Sequence, residues 1–171
     1  MDVAPEFVRV AQESLRQGAD RVQECLARLD QDQIWHRDHE IENSIGNLVL
    51  HLCGNVRQWI VCGVGGEQDR RNRDWEFATR DALPAEDLAR RLAETVEEAE
   101  SVLAGLASAK LLETRRIQVY EVTVLHAVIH VLTHFSGHVG QIIWATKHVT
   151  GRDLGFYGYL RKGSDPGERS P

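Results

Sequence analysis

The chain has 171 residues, of which 42% are hydrophobic and 27% charged, with a formal net charge of −6. That length and mixture suit one compact domain, taken here as residues 1–171, and the arginines lie scattered among acids, which argues against a nucleic-acid partner. No stretch approaches the ~20 apolar residues of a membrane span, the first residues carry acids where a secretory leader needs a basic end, and Cys25, Cys53 and Cys62 form no disulfide framework. A cytoplasmic protein with reduced thiols and no membrane contact is expected.

Phe7, Val10, Ala11, Leu15, Val22, Leu26 and Leu29 recur at steps of three and four, which predicts a first amphipathic helix over Pro5–Leu29. The polar stretch that follows ends at Ser44, a good N-cap, so a second helix is expected from Ile45 to Cys62, stopped by Gly63. The Arg-rich segment from Gly63 to Leu83 has no sustained period and reads as a long loop, of the kind that is functional or disordered. Pro84 suits a first helical position, and Leu88, Leu92, Val96, Ala99, Leu103 and Leu106 mark a third helix over Pro84–Ala107 with acids on its solvent face. The run RRIQVYEVTV is β-prone and short, which predicts an extended connection or small hairpin. A fourth helix should run from Thr123 to Val149 and close at Gly151, leaving a tail that frays from about residue 163. Four amphipathic helices with little strand predict an all-α four-helix bundle.

Six of the eight histidines fall on the second and fourth helices, and His126, His130, His134 and His138 form a ladder. Each four-residue step drifts by about 40° around the helix, so an adjacent pair can converge on one metal while the ends of the ladder diverge by about 120°. Val124, Val128, Val131, Leu132, Phe135, Val139 and Ile142 define the buried stripe of the last helix. His138 falls beside that stripe and His134 at its margin, whereas His130 and His126 rotate towards solvent. On the second helix His51 holds the same marginal position, with Asn55 one turn further on. One histidine from one helix and two from another would leave a coordination position open, the pattern of a reactive metal site. Asn55 and Gln141 are candidates to orient ligands. Against this stands the commoner role of a boundary histidine, a hydrogen-bonded residue that binds nothing.

The segments SIGNLVLHLCGNVRQW (44–59) and THFSGHVGQIIW (133–144) resemble the DinB-like superfamily. DRRNRDWEFATR (69–80) and RRIQVYEVTVLHAV (115–128) resemble its DUF1572 branch, so the likeness spans nearly the whole chain. The resemblance implies an up-down-down-up bundle, often a homodimer, with a metal on His51, His134 and His138, the last two in an H-x-x-x-H-x-G-Q pattern completed by Gly140 and Gln141. Relatives with known activity are metal-dependent transferases and isomerases that use low-molecular-weight thiols, so the expected function is a thiol S-transferase-like enzyme acting on a small molecule. The alternatives are a metal-dependent hydrolase that activates water and a stress-related metal-binding protein without turnover. Histidine ligands accept zinc, nickel, iron or copper.

Arg70, Arg71 and Arg73 could grip carboxylates of a thiol or substrate, since the guanidinium fork matches a carboxylate; the competing reading is a solvated connection anchored by Trp75 and Phe77. Cys53 projects roughly 160° from His51 and reads as a core residue, and Cys62 lies three turns from the site. Trp35 reads as packed, with His36 and His39 exposed. No Gly-rich phosphate loop, Ser-His-Asp set or inward carboxylate pair is visible.

Overall fold

Ser44 and Asn47 form a reciprocal capping box, each side chain meeting the other's backbone N–H, and this fixes where the central helix begins and which face it turns inward. In the computed structural model, which describes residues 2–80 and 83–158, that helix is α3, Ile45–Val56. The other helices are α1 (Ala4–Leu26), α2 (Gln31–Trp35), α4 (Arg73–Ala78), α5 (Ala85–Ala104) and α6 (Val124–Thr150). α3 does not stop at Val56 but continues as a π-helical stretch over Arg57–Val64. A 3-10 turn, Ser108–Leu112, leads into β1 (Thr114–Ile117) and β2 (Tyr120–Thr123), an antiparallel pair in the register Thr114 to Thr123 and Ile117 to Tyr120. Gln118 in the tight turn takes a positive φ of 56°.

The four long helices make the bundle. α1 lies against α5 and α6, and α3 lies against the same two, so α1 and α3 sit on one diagonal. Leu15, Val22, Leu52, Val56, Leu88, Leu92, Val131 and Ile142, each at most 1% exposed, fill the middle. The expected hairpin is present, immediately before the last helix. The tail expected to fray from about residue 163 lies outside the described residues. Among the described residues no helix is long and apolar enough to cross a membrane.

Two expectations change. α1 ends at Leu26, and the polar stretch after it holds the short helix α2, started by an Asp30–Gln33 capping box and closed by Trp35, which lies buried over Gly46. The segment read as a loop from Gly63 to Leu83 contains α4, which packs on α3. A two-turn helix offers too few positions to show a period, and its one local signal is Asn72, which caps it by accepting from the Trp75 N–H at 3.0 Å.

α1 and α6 approach closely at Gly18, where a Cβ would stand 2.6 Å from the Phe135 ring. Gly18→Ala should destabilise the fold by about 1–3 kcal/mol through overpacking. An unchanged midpoint in urea unfolding would show that the two helices can separate there at no cost.

Candidate metal centre

α3 and α6 run antiparallel, as two ring contacts at different heights show. Trp59 meets His130 with centroids 4.1 Å apart, while His51, two turns back along α3, meets His134 and His138 further along α6 at 4.9 and 5.0 Å. The Ser44 cap starts α3, and the Thr123 hydroxyl starts α6 by accepting from the His126 N–H at 3.2 Å. These caps and the apolar stripes set the phases that aim the three imidazoles into one groove. His51 is buried at 6% exposed, and His134 and His138 are half-buried.

His51 Nε2 lies 3.1 Å from His134 Nε2, which in turn lies 3.2 Å from His138 Nε2, and one nitrogen from each ring falls within 4.8 Å of the others. Nitrogens bound at about 2.05 Å around a tetrahedral zinc ion stand about 3.3 Å apart. His138 Nδ1 lies 2.8 Å from Gln141 Oε1, an acceptor, so that nitrogen carries the proton. His51 Nδ1 lies 3.1 Å from a Glu76 carboxylate oxygen and 3.0 Å from Arg71 Nη2, a donor already committed to Glu76 Oε2 at 2.7 Å, so an N–H on Nδ1 serves the carboxylate. The Nε2 lone pairs of both rings are then free and turned towards His134. His134 Nε2 can present at most one N–H to the two lone pairs it faces, whereas a shared cation satisfies all three nitrogens together. The residues present fit a divalent transition metal.

Sequence reasoning did not single out Glu76, and it is the residue that holds His51. Its side chain is 5% exposed and forms a two-pronged pair with Arg71, Nε to Oε1 and Nη2 to Oε2, both at 2.7 Å. Carboxylate behind imidazole is the usual support for a metal-bound histidine, fixing tautomer and ring angle. Gly54 makes the arrangement possible: a Cβ there would fall 1.9 Å from Glu76 Oε1 and 2.8 Å from Arg71 Nε. Fully buried Asn47 anchors α4 to α3, its amide donating to the carbonyls of Glu76 at 2.8 Å and Thr79 at 2.9 Å. Phe77 then covers the His51 ring at 4.8 Å. In the sequence, the only marks of this support are an acid lying between Trp75 and Phe77 and the missing side chain at Gly54, and neither belongs to a period.

The other named residues divide. Gln141 touches a candidate ligand, whereas Asn55 is buried with its Oδ1 unpartnered, as is His134 Nδ1. Arg71 grips a carboxylate, but it is the chain's own Glu76, with Nη1 donating to Gln58 at 2.8 Å. Arg70 donates to Gln68, and Arg73 lies over the Phe77 ring at 4.8 Å. His130 lies tilted against Trp59 and exposed His126 stands at the start of α6, so neither joins the three-ring cluster. Cys53 is buried, with its thiol pushed up to about 12 by burial. Trp35 is packed, and His36 and His39 are exposed, as expected.

Burial and the neighbouring imidazoles pull His134 down to about 4, and burial lowers His138 against the opposing pull of Gln141. Burial raises the Glu76 carboxyl, but its hydrogen bonds and charge pairing with Arg71 and His51 outweigh this and leave it below its usual value. For both kinds of group the unfolded chain binds protons that the folded chain refuses. Stability of the metal-free protein is therefore complete above about 6.5, the ordinary histidine value, and falls as pH drops towards 4. Urea midpoints measured between pH 7 and pH 4 should decline steadily; a flat profile would contradict the buried neutral His134. Glu76→Gln should weaken metal affinity by about 10–100-fold, and Gly54→Ala should do the same by displacing the carboxylate. Competition with a metal-sensitive dye measures both, and full affinity in Gly54→Ala would separate Glu76 from the site.

Comparison with known proteins agrees with this architecture. Residues 2–158 match the family described as protein of unknown function (DUF1572). A crystal structure of a conserved protein from Enterococcus faecalis superposes with a TM-score of 0.69 at 16% identity, over 84% of this chain and 97% of that one. A DinB-like protein from Bacillus cereus superposes with a TM-score of 0.66 at 12% identity, over 84% of this chain and 93% of that one. At such identities the likeness is one of fold. No curated protein matches. The bundle thus shares its fold with the DinB-like protein from Bacillus cereus, and with the family match covering the described residues the chain belongs to the DUF1572 family.

Proposed function

We propose that this chain is a metal-dependent enzyme of the thiol S-transferase type, acting on a small molecule with His51, His134 and His138 as the protein ligands of one divalent ion. The observation that carries this reading is the convergence of three Nε2 atoms, two of them on rings whose Nδ1 is engaged from behind. Three protein ligands leave room for an exogenous one, and a divalent ion there would favour the thiolate form of a thiol at neutral pH.

The chain's own residues favour thiol chemistry over hydrolysis. Hydrolysis by activated water gains from a nearby base that takes a proton. Glu76 is poorly suited to be that base, because its oxygens are taken by Arg71 and His51 and it faces the back of the His51 ring. Its role is to hold that ring. Gln141 does the same for His138, with an uncharged carbonyl in place of a carboxylate. A thiol loses its proton far more readily than water and makes less demand on such a base. Zinc and nickel suit imidazole donors best in this reading, with iron or copper as further candidates. A cytoplasmic site of action and a homodimer belong to the same proposal.

Metal analysis of purified variants tests the ligand set. His138→Ala should lose bound metal, and His126→Ala should retain it. The metal-loaded protein should also conjugate a low-molecular-weight thiol to an electrophile in a chelator-sensitive reaction. Equal metal loss in both variants would overturn the ligand assignment, and metal without turnover across a panel of thiols would leave a binding protein.

A further inference from the structure

We infer that the groove between α3 and α6 continues past the histidines into a binding site for the uncharged, aromatic portion of the substrate. This rests on the metal reading proposed above and specifies the substrate class of that site. A cavity of about 380 Å³ lies between the 36–43 segment and the facing stretches of α3 and α6. Gln141 joins it to the histidines, since the side chain that holds His138 also lines the cavity. On α3 the wall is Ile45 and Leu48, the turns immediately before His51. On α6 it is Trp144 and Ala145, beginning about 9 Å along the axis from His138 at ~1.5 Å per residue. A ligand held by a metal at one end would therefore reach the cavity with a spacer of a few atoms.

The walls specify what enters. Trp144 is 67% exposed and Ile41 94% exposed at this cavity, large apolar side chains left in water. His148 stacks on the Trp144 ring with planes at 6° and centroids 5.1 Å apart, so the indole is held flat. The charged residues disfavour an anion. Asp38 and Glu42 both line the cavity, and Arg37 spends its Nη1 on the carbonyl oxygens of Glu40 and Glu42. A flat, neutral ring suits this lining and a carboxylate tail does not.

Three hydroxamates test the site on metal-loaded protein: acetohydroxamate, 4-phenylbutanohydroxamate, and a chain of similar length ending in carboxylate. The phenyl compound should bind at least about tenfold more tightly than acetohydroxamate, as burial of a ring in an apolar pocket gives, and the carboxylate compound should gain nothing. Trp144→Ala, at an exposed position, should erase most of the phenyl advantage and leave acetohydroxamate unchanged. A phenyl advantage that is absent, or that persists in Trp144→Ala, overturns the proposal. So does a Trp144→Ala variant that changes oligomeric state and not selectivity, which would assign the ring to an interface between copies. Failure of acetohydroxamate itself to bind counts against the open metal site. The cavity is then decided on metal-free protein, where 4-phenylbutanamide should shift the Trp144 indole N–H resonance in NMR; no shift at millimolar ligand overturns it.

Discussion

The site depends on one buried carboxylate. Glu76 is almost fully removed from water, and an isolated charge in that position would be expensive. Arg71 neutralises it with two parallel hydrogen bonds, His51 supplies a third contact, and Gly54 leaves the space against the α3 backbone in which it lies. Each partner needs the others. Removing Arg71 would strand the carboxylate, removing Glu76 would strand the guanidinium, and either change would free His51 to rotate. His51 is thus held from outside the two helices that carry the candidate ligands, by the segment that contains α4.

That segment shows why the sequence was legible in some places and not in others. Periodicity over five or more turns revealed the four long helices, because a stripe of Leu, Val and Ile must recur wherever a helix buries one face. The same stripes picked His51, His134 and His138 from the eight histidines, and the structure brings those three rings together. The hairpin was legible from its β-branched run. α2 and α4 were not, since helices of five and six residues bury no repeating face and are defined by a capping box at Asp30 and a cap at Asn72. Glu76 was missed for a related reason. A carboxylate that pairs with an arginine five residues earlier and a histidine twenty-five earlier leaves no local pattern, and an acid in an Arg-rich stretch reads as solvated charge.

The arginines illustrate the same limit. The guanidinium fork does meet a carboxylate at Arg71, as its chemistry suggests, but an internal one. Sequence alone identifies the preference and not the partner. The three candidate ligands also differ in what stands behind them: a carboxylate at His51, an amide at His138, and no hydrogen-bond partner at His134 Nδ1. Imidazoles backed by negative charge are stronger donors than those backed by an amide, so the cluster is asymmetric even though all its members are the same residue type.

The π-helical stretch that continues α3 has its own consequence for how the rod is built. Each π turn admits one residue more than an α turn, so Arg57–Val64 resets the angular phase of everything after Val56. Trp59, Ile60 and Val61 are buried in succession as a result, and Gly63 comes to lie against Ile117 of the hairpin. Upstream, the α-helical turns keep their own rotation. The hairpin end of the rod therefore meets its neighbours at a rotational phase different from that of the turns that carry His51.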